Sequence, residues 1–554
     1  MVAQLVSALT VTALAATVWA VQQPPPRDAP ATAATGTGSV AGRVVVANVS
    51  PAAPIRRARV SLSGGSLRAP EITDTDTEGN YRFTGLLPGA YRVTASKPGF
   101  VTLEAGALHY TQHAAEIDVR DAASVRADIA LPRGAAIEGQ IVDRNGEPVQ
   151  NLLISASRFA YSARGRRPAA VKQARTDDRG QYRIHSLPPG EYILEAAPDP
   201  RIEATQAAMP AVDRPPGRGR TYFPGTPQVH QAQRVTLAVG QELRGTNFAI
   251  ESVPLARVSG RVLDASGAAV KTFGFRMVPV GGAASVSGSL SADGQFMMGH
   301  VPPGDYVMLA SVLTDVNAVG QYAAQRITVS GTDLTDVTVL TTPGALLDGS
   351  VQVIGPGPLP DLRRARLEAI ETEFELPPSR PPAAPINVQP DGSFNVRGLF
   401  GPRVLRLARL PPGWALESVR LEDTDITDVS TDFRESNAPR QLVMTITDQT
   451  GSVTGSVRTP KGPAGACEVL AIPEDERLLS ATSRFIHRGA PRADGTFNLS
   501  GLLPGRYRAV AVDFIVDGGW HDPEILRRLA AAGTAVTVKP GSDETIVLEL
   551  QVSR

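Results

Sequence analysis

An all-β fold, arranged as a tandem array of about five sandwich units with one short C-terminal helix, follows from three features of the 554 residues. A motif of Gly-x-aromatic, then a second aromatic ten residues on behind Pro-Gly, recurs as GNYRFTGLLPGAY, GQYRIHSLPPGEY, GQFMMGHVPPGDY, GSFNVRGLFGPRV and GTFNLSGLLPGRY. Its first aromatics, Tyr81, Tyr182, Phe296, Phe394 and Phe497, stand 101, 114, 98 and 103 residues apart, the length of one small domain used repeatedly. Between copies, short runs alternate apolar and polar residues and end at Gly, Pro, Asp or Asn. That is the pattern of half-buried antiparallel strands.

Taken in order, residues 1–20 are uncharged and end in small residues at Val18 and Ala20, which reads as a secretory signal. The first charge is Arg27, so the basic start of a signal is missing, and both a cleaved signal and an uncleaved anchor stay open. Residues 21–35 read as a disordered linker. The units then fall at 36–133, 134–252, 253–342, 343–446 and 447–554. Pro-rich inserts at 196–224 in the second unit and 375–390 in the fourth read as extended or disordered surface loops. The helix has Asp522 as N-cap, Pro523 in its first turn, ILRRLAAA as its body and Gly533 as its C-cap.

Each unit opens with a strand holding a central glycine: SVAGRV (Gly42), AIEGQI (Gly139), RVSGRV (Gly260), LLDGSV (Gly349) and SVTGSV (Gly455). Before the motif, Glu78, Asp293, Asp391 or Asp494 caps a turn in which Gly79, Gly180, Gly294, Gly392 or Gly495 takes positive φ. The first aromatic faces the core. Gly89, Gly190, Gly304 or Gly505 then completes a Pro-Gly turn, and Tyr91, Tyr192, Tyr306 or Tyr507 buries its ring while its hydroxyl ties down nearby backbone. In the fourth copy Gly401-Pro402 and Val404 replace Pro-Gly and tyrosine, which marks the most divergent unit. Each unit closes with two alternating stretches read as a hairpin, such as RITVSGTDLTDVTVL, making about seven strands per unit.

Tandem SVxGxV strands followed by G-x-[YF]-x-[FIV]-x-x-L-x-PG-x-Y resemble the carboxypeptidase regulatory-like domain. That resemblance implies a prealbumin-like sandwich, also called the carbohydrate-binding-like fold, from about Gly38 to the C-terminus. The last unit, with DGTFNLSGLLPGRYRAVAV and GGWHDPEILRRL, is similar to large exported repeat proteins of Gram-negative bacteria. The fold is also similar to B-type repeats of collagen-binding adhesins, whose isopeptide staples need an early-strand lysine. Here Arg43, Gln140, Arg261, Ser350 and Ser456 stand at that position, so no staple is expected.

Composition narrows function by exclusion. Fifty-five basic residues balance 55 acidic ones, which argues against nucleic acid or an anionic membrane as a general partner. One cysteine, Cys467, forbids an intrachain disulfide, and its apolar strand suits a buried thiol. After the signal, no apolar run reaches the length of a membrane span. The seven histidines, His109 and His113 among them, match no metal motif, and no catalytic grouping or phosphate loop appears. Asp74, Asp76 and Glu78 open like a calcium loop but lack its closing carboxylate, and Asp423, Asp425 and Asp428 read as a solvated edge. No enzyme activity and no cofactor or metal are expected. The expectation is a non-catalytic exported protein at the cell envelope, in the periplasm, on the outer surface or outside the cell. Its partner is an unspecified surface protein or a polysaccharide. The candidate contacts are Trp520 and the basic residues of the second unit, Arg164, Arg166, Arg167, Arg218 and Arg220, with Arg214 beside them.

Overall fold

Two sheets laid face to face around a core of alternate inward residues make up each unit. The computed structural model describes residues 36–551 with interruptions, the longest at 200–216, 313–319 and 374–387. The signal and linker therefore lie outside the described residues, as do the middles of both inserts and His113. Separate apolar cores occupy the five units, running from Val40 to Leu131, Ala135 to Ile250, Ala256 to Val339, Ala345 to Ile446 and Val453 to Leu548. The array and its all-β class are as the sequence predicts.

In the first unit, strand Gly38–Val46 lies antiparallel to Asn80–Leu86 and parallel to Ser124–Arg126 and Ile129–Leu131. The facing sheet runs Glu71–Asp74, Arg59–Gly64, Gly89–Ser96, with Ile117–Val119 on its far edge. This corrects one expectation. The two closing stretches are not a hairpin but cross from one sheet to the other, and the last returns parallel to the first strand. Alternation is identical in both stretches, so the pattern carries no information about which sheet each joins. In the fifth unit Asp543–Gln551 pairs with Gly451–Thr459 and also with Gly505–Val512, joining the two layers along one edge.

The motif is packing chemistry throughout. Each central glycine is the register partner of its first aromatic: Gly42 with Tyr81, Gly139 with Tyr182, Gly260 with Phe296, Gly349 with Phe394 and Gly455 with Phe497. A Cβ on Gly42 would sit 2.1 Å from the Ala127 carbonyl oxygen and 2.9 Å from the Tyr81 hydroxyl, so the ring and the parallel strand together require glycine. The second tyrosines are buried, and each donates to the carbonyl four residues back: Tyr91 to Leu87 at 2.8 Å, Tyr192 to Pro188 at 2.6 Å, Tyr306 to Pro302 at 2.9 Å, Tyr507 to Leu503 at 2.7 Å. The Pro-Gly turn differs between copies. Glycine of Pro-Gly has positive φ at Gly190 and Gly304 but not at Gly89 or Gly505. The position that is left-handed in every copy lies four residues earlier, at Gly85, Ser186, His300, Gly398 and Gly501. Strand register slips there in all five units, so the residue is a β-bulge that bends the strand over the core.

The capping carboxylate also differs by unit. Asp391 and Asp494 accept the N–H groups of Ser393 and Thr496 as expected, but in the first two units Asp76 and Asp177, not Glu78, hold the turn. The fourth unit departs most, as its motif predicts: Ala415–Leu421 joins the first sheet beside Arg440–Thr447, leaving a facing sheet of three strands. The predicted helix is Pro523–Ala531, with Asp522 accepting from Glu524 and Ile525; its C-cap is Ala532, and Gly533 follows. Among the described residues no helix is long and apolar enough to cross a membrane.

Candidate functional site

Two places outside the repeated motif gather chemistry: the seams between units, and the outward face of each unit's first sheet. The seams come from one long element. Strands Leu152–Ser162 and Gly165–Arg175 run eleven residues each, against six and four for the matching Arg59–Gly64 and Glu71–Asp74 of the first unit. The overshoot carries the second unit's hairpin onto units it does not adjoin in sequence. Arg164 pairs with Glu371 of the fourth unit, and Arg166 lies 3.9 Å from Glu524 of the fifth. Gly518 of the fifth unit meets the Tyr161 backbone so closely that a Cβ would stand 2.0 Å from that carbonyl oxygen. At the hairpin's base, the Arg158 guanidinium lies between the Tyr192 ring (4.3 Å) and the Tyr110 ring of the first unit (4.9 Å).

Other seams close the array further. His109 of the first unit stacks on Phe514 of the fifth at 4.5 Å. Tyr322 of the third packs on Phe400 of the fourth at 5.3 Å. Buried Arg406 of the fourth unit donates to the Thr482 carbonyl of the fifth at 2.7 Å and to Asp428 at 2.8 Å. Asp428 also receives Arg484 of the fifth unit at 3.3 Å, so one carboxylate joins two guanidinium groups across the seam. Asp428, read from sequence as part of a solvated edge, is exposed and also receives both arginines of this seam.

The predicted binding residues are largely committed to contacts within the molecule. Arg164 and Arg166 serve the seam, and Arg167 sits on the same hairpin opposite Ala160. Arg220 is ion-paired at 2.7 Å to buried Glu195, whose carboxyl is pushed up by burial against the pull of that arginine. Arg218 is exposed, on a two-residue strand beside Ser252. Trp520 is half-buried against the helix, in an apolar cluster built on Leu470, Ile515 and Leu526, and the Arg488 guanidinium covers its ring at 3.6 Å. The structure brings the hairpin carrying Arg164 and Arg166 against the segment that holds Gly518, Trp520 and Glu524, while Arg220 pairs within its own unit. Cys467 is buried, its thiol pushed up to about 11 by burial, and no group of three metal-binding side chains occurs among the described residues.

The outward sheet face is what sequence reading missed. Immediately before each central glycine is a residue that points away from the core, flanked by outward residues of the two neighbouring strands. In the second unit this row is Arg183, Glu138 and Arg244, with Glu242 beside it. Arg183 pairs with both Glu138 and Glu242, the latter at 3.0 Å; Arg244 reaches the same two carboxylates at 3.5 and 3.2 Å. Hydrogen bonds from Arg183 and then Arg244 hold the Glu242 carboxyl below its usual range. In the fourth unit Asn395 donates to Asp348 at 3.2 Å, and in the fifth the Thr454 and Thr545 hydroxyls meet at 3.2 Å.

In the first unit the row reads Arg82, Ala41, Arg126, with Ser124 where the second unit has Glu242. Both arginines remain and both carboxylates are gone. Arg126 keeps one contact, its Nε to Asp128 at 2.8 Å, and Arg82 is exposed with no ion pair among the described residues. An open groove of about 650 Å³ lies over this row, floored by Ala41 and Gly42 and bounded at its other end by Thr73, Asp74, Asp76 and Asn80.

Comparison with known proteins supports the domain identity. Residues 39–132 and 136–250 each match the carboxypeptidase regulatory-like domain, so the first two units are a tandem pair of that type. No curated protein matches the chain as a sequence. Among solved structures, a streptococcal ancillary pilin aligns over 55% of this chain and 99% of its own, at 14% identity and a TM-score of 0.20. The minor pilin GBS52 of Streptococcus agalactiae aligns over 39% of this chain and 97% of its own, at 15% identity and a TM-score of 0.20. The Bacillus anthracis TIE protein aligns at 14% identity and a TM-score of 0.16 over 55% of this chain, which spans about half, 51%, of that protein.

Proposed function

From a chain whose first two units are carboxypeptidase regulatory-like domains, we propose a non-catalytic scaffold at the cell envelope or outside the cell. Its five sandwiches form a compact platform that presents outward sheet faces to a surface partner. The observation that carries this reading is the set of seams joining units far apart in sequence. The second unit's hairpin engages the fourth and fifth units, and the first unit's His109 engages the fifth. Five domains joined only in series would form a rod, whereas contacts between the first and last units hold them as one closed body. The uncharged stretch at 1–20 supports export.

Small-angle scattering on the chain from residue 36 onward tests it. Treating each unit as a sphere with a radius of gyration of about 13 Å, a closed five-unit body has an overall value of about 30 Å and a straight rod about 50 Å. A value near 30 Å is expected. A value near 50 Å would remove the platform.

A further inference from the structure

We infer that the groove over Arg82, Ala41 and Arg126 binds the carboxylate of a uronic-acid sugar in an acidic polysaccharide. The second unit displays the geometry of the occupied state. There two carboxylates, Glu138 and Glu242, lie between arginines on the two strands flanking the central one, each arginine reaching both. The first unit keeps both arginines at the same register positions and replaces the carboxylates by Ala41 and Ser124, side chains too short to reach a guanidinium. Arg82 and Arg126 both line the groove, and guanidinium groups recognise a planar carboxylate through paired N–H donors.

The rest of the groove selects the bearer of that carboxylate. Asp74 and Asp76 stand at its far end with Thr73 and Asn80. Asp76 is held ionised by the Asn80 backbone N–H, which keeps its carboxyl below the usual range. These carboxylates accept hydrogen bonds from sugar hydroxyls, and Thr73, Asn80 and Ser124 add further polar partners. A uronate, with one carboxylate at one end of a ring of hydroxyls, matches both ends of the groove. Asp128 beside Arg126 weakens the anion's hold there, so Arg82 makes the larger contribution.

The test is calorimetric titration of the whole chain from residue 36 with trigalacturonate, with maltotriose and triglutamate as separate arms. One site per chain is expected for trigalacturonate, weakened by rising salt, with no heat from maltotriose. The Ala41→Glu/Ser124→Glu variant fills the trough from within and should abolish binding. Arg82→Gln, at an exposed position that leaves the fold alone, should weaken it at least tenfold with an unchanged melting temperature. Absence of trigalacturonate binding overturns the inference, as does binding untouched by either variant. Triglutamate binding as tightly as trigalacturonate overturns the sugar assignment.

Discussion

The first two units share the repeated glycine–tyrosine frame and differ in a row on their outer face. Gly42 and Gly139 both face an aromatic, Tyr81 and Tyr182, whose hydroxyl reaches the parallel strand at Ala127 and Thr246. Tyr91 and Tyr192 both tie the turn four residues back. On the outer face, however, the second unit neutralises Arg183 and Arg244 with Glu138 and Glu242, while the first leaves Arg82 beside Ala41. The frame is held by buried rings and close backbone approach, so it admits little change. The outward row contributes little to folding and is free to diverge, which is where a difference in binding can reside.

The comparison breaks first if the frames are not equivalent. Tyr81→Ala and Tyr182→Ala should each destabilise their own unit by about 3–5 kcal/mol, because each removes a buried ring and uncovers the glycine beneath it. Scanning calorimetry of the whole chain should show one transition lowered in each variant, by similar amounts. A cost below about 1 kcal/mol in either would mean that its ring is not what holds the sheet.

A smaller effect sharpens the contrast between the rows. In the second unit, Arg183 is the leading cause of the lowered Glu242 carboxyl. A carboxyl depressed in the folded state stabilises above its unfolded pKa, and that contribution is lost as pH falls through the folded value. Arg183→Ala should therefore raise the Glu242 titration midpoint, followed by carboxyl-carbon NMR, toward the ordinary carboxylate value. An unmoved midpoint would mean the row is not an electrostatic unit. The pair is exposed, so little change in overall stability is expected.

Much of the frame was legible in the sequence because its chemistry is local. Gly79 with its neighbouring carboxylates, the ten-residue step from Tyr81 to Tyr91 and the Asp522-Pro523 helix start all act within one turn or one strand. What stayed hidden depends on pairings between distant segments. Ala41 meets Arg126 only because the closing strand crosses to the first sheet and runs parallel to Gly38–Val46. The left-handed bulge was obscured because Ser186 and His300 stand where three other copies have glycine. The basic residues Arg164, Arg166 and Arg220 looked like a free patch because Glu371, Glu524 and Glu195, which engage them, are remote in sequence. The one signal of the row that sequence carried was the exchange of Glu138 for Ala41 before the repeated glycine.

A binding site is expected wherever this row keeps its arginines and loses its carboxylates. The most direct measurement is the trigalacturonate stoichiometry of a Glu138→Ala/Glu242→Ser chain, in which the second unit takes on the first unit's row. Two sites per chain are predicted, against one in the natural protein. A stoichiometry unchanged at one, in a variant that melts as the natural chain does, would contradict it.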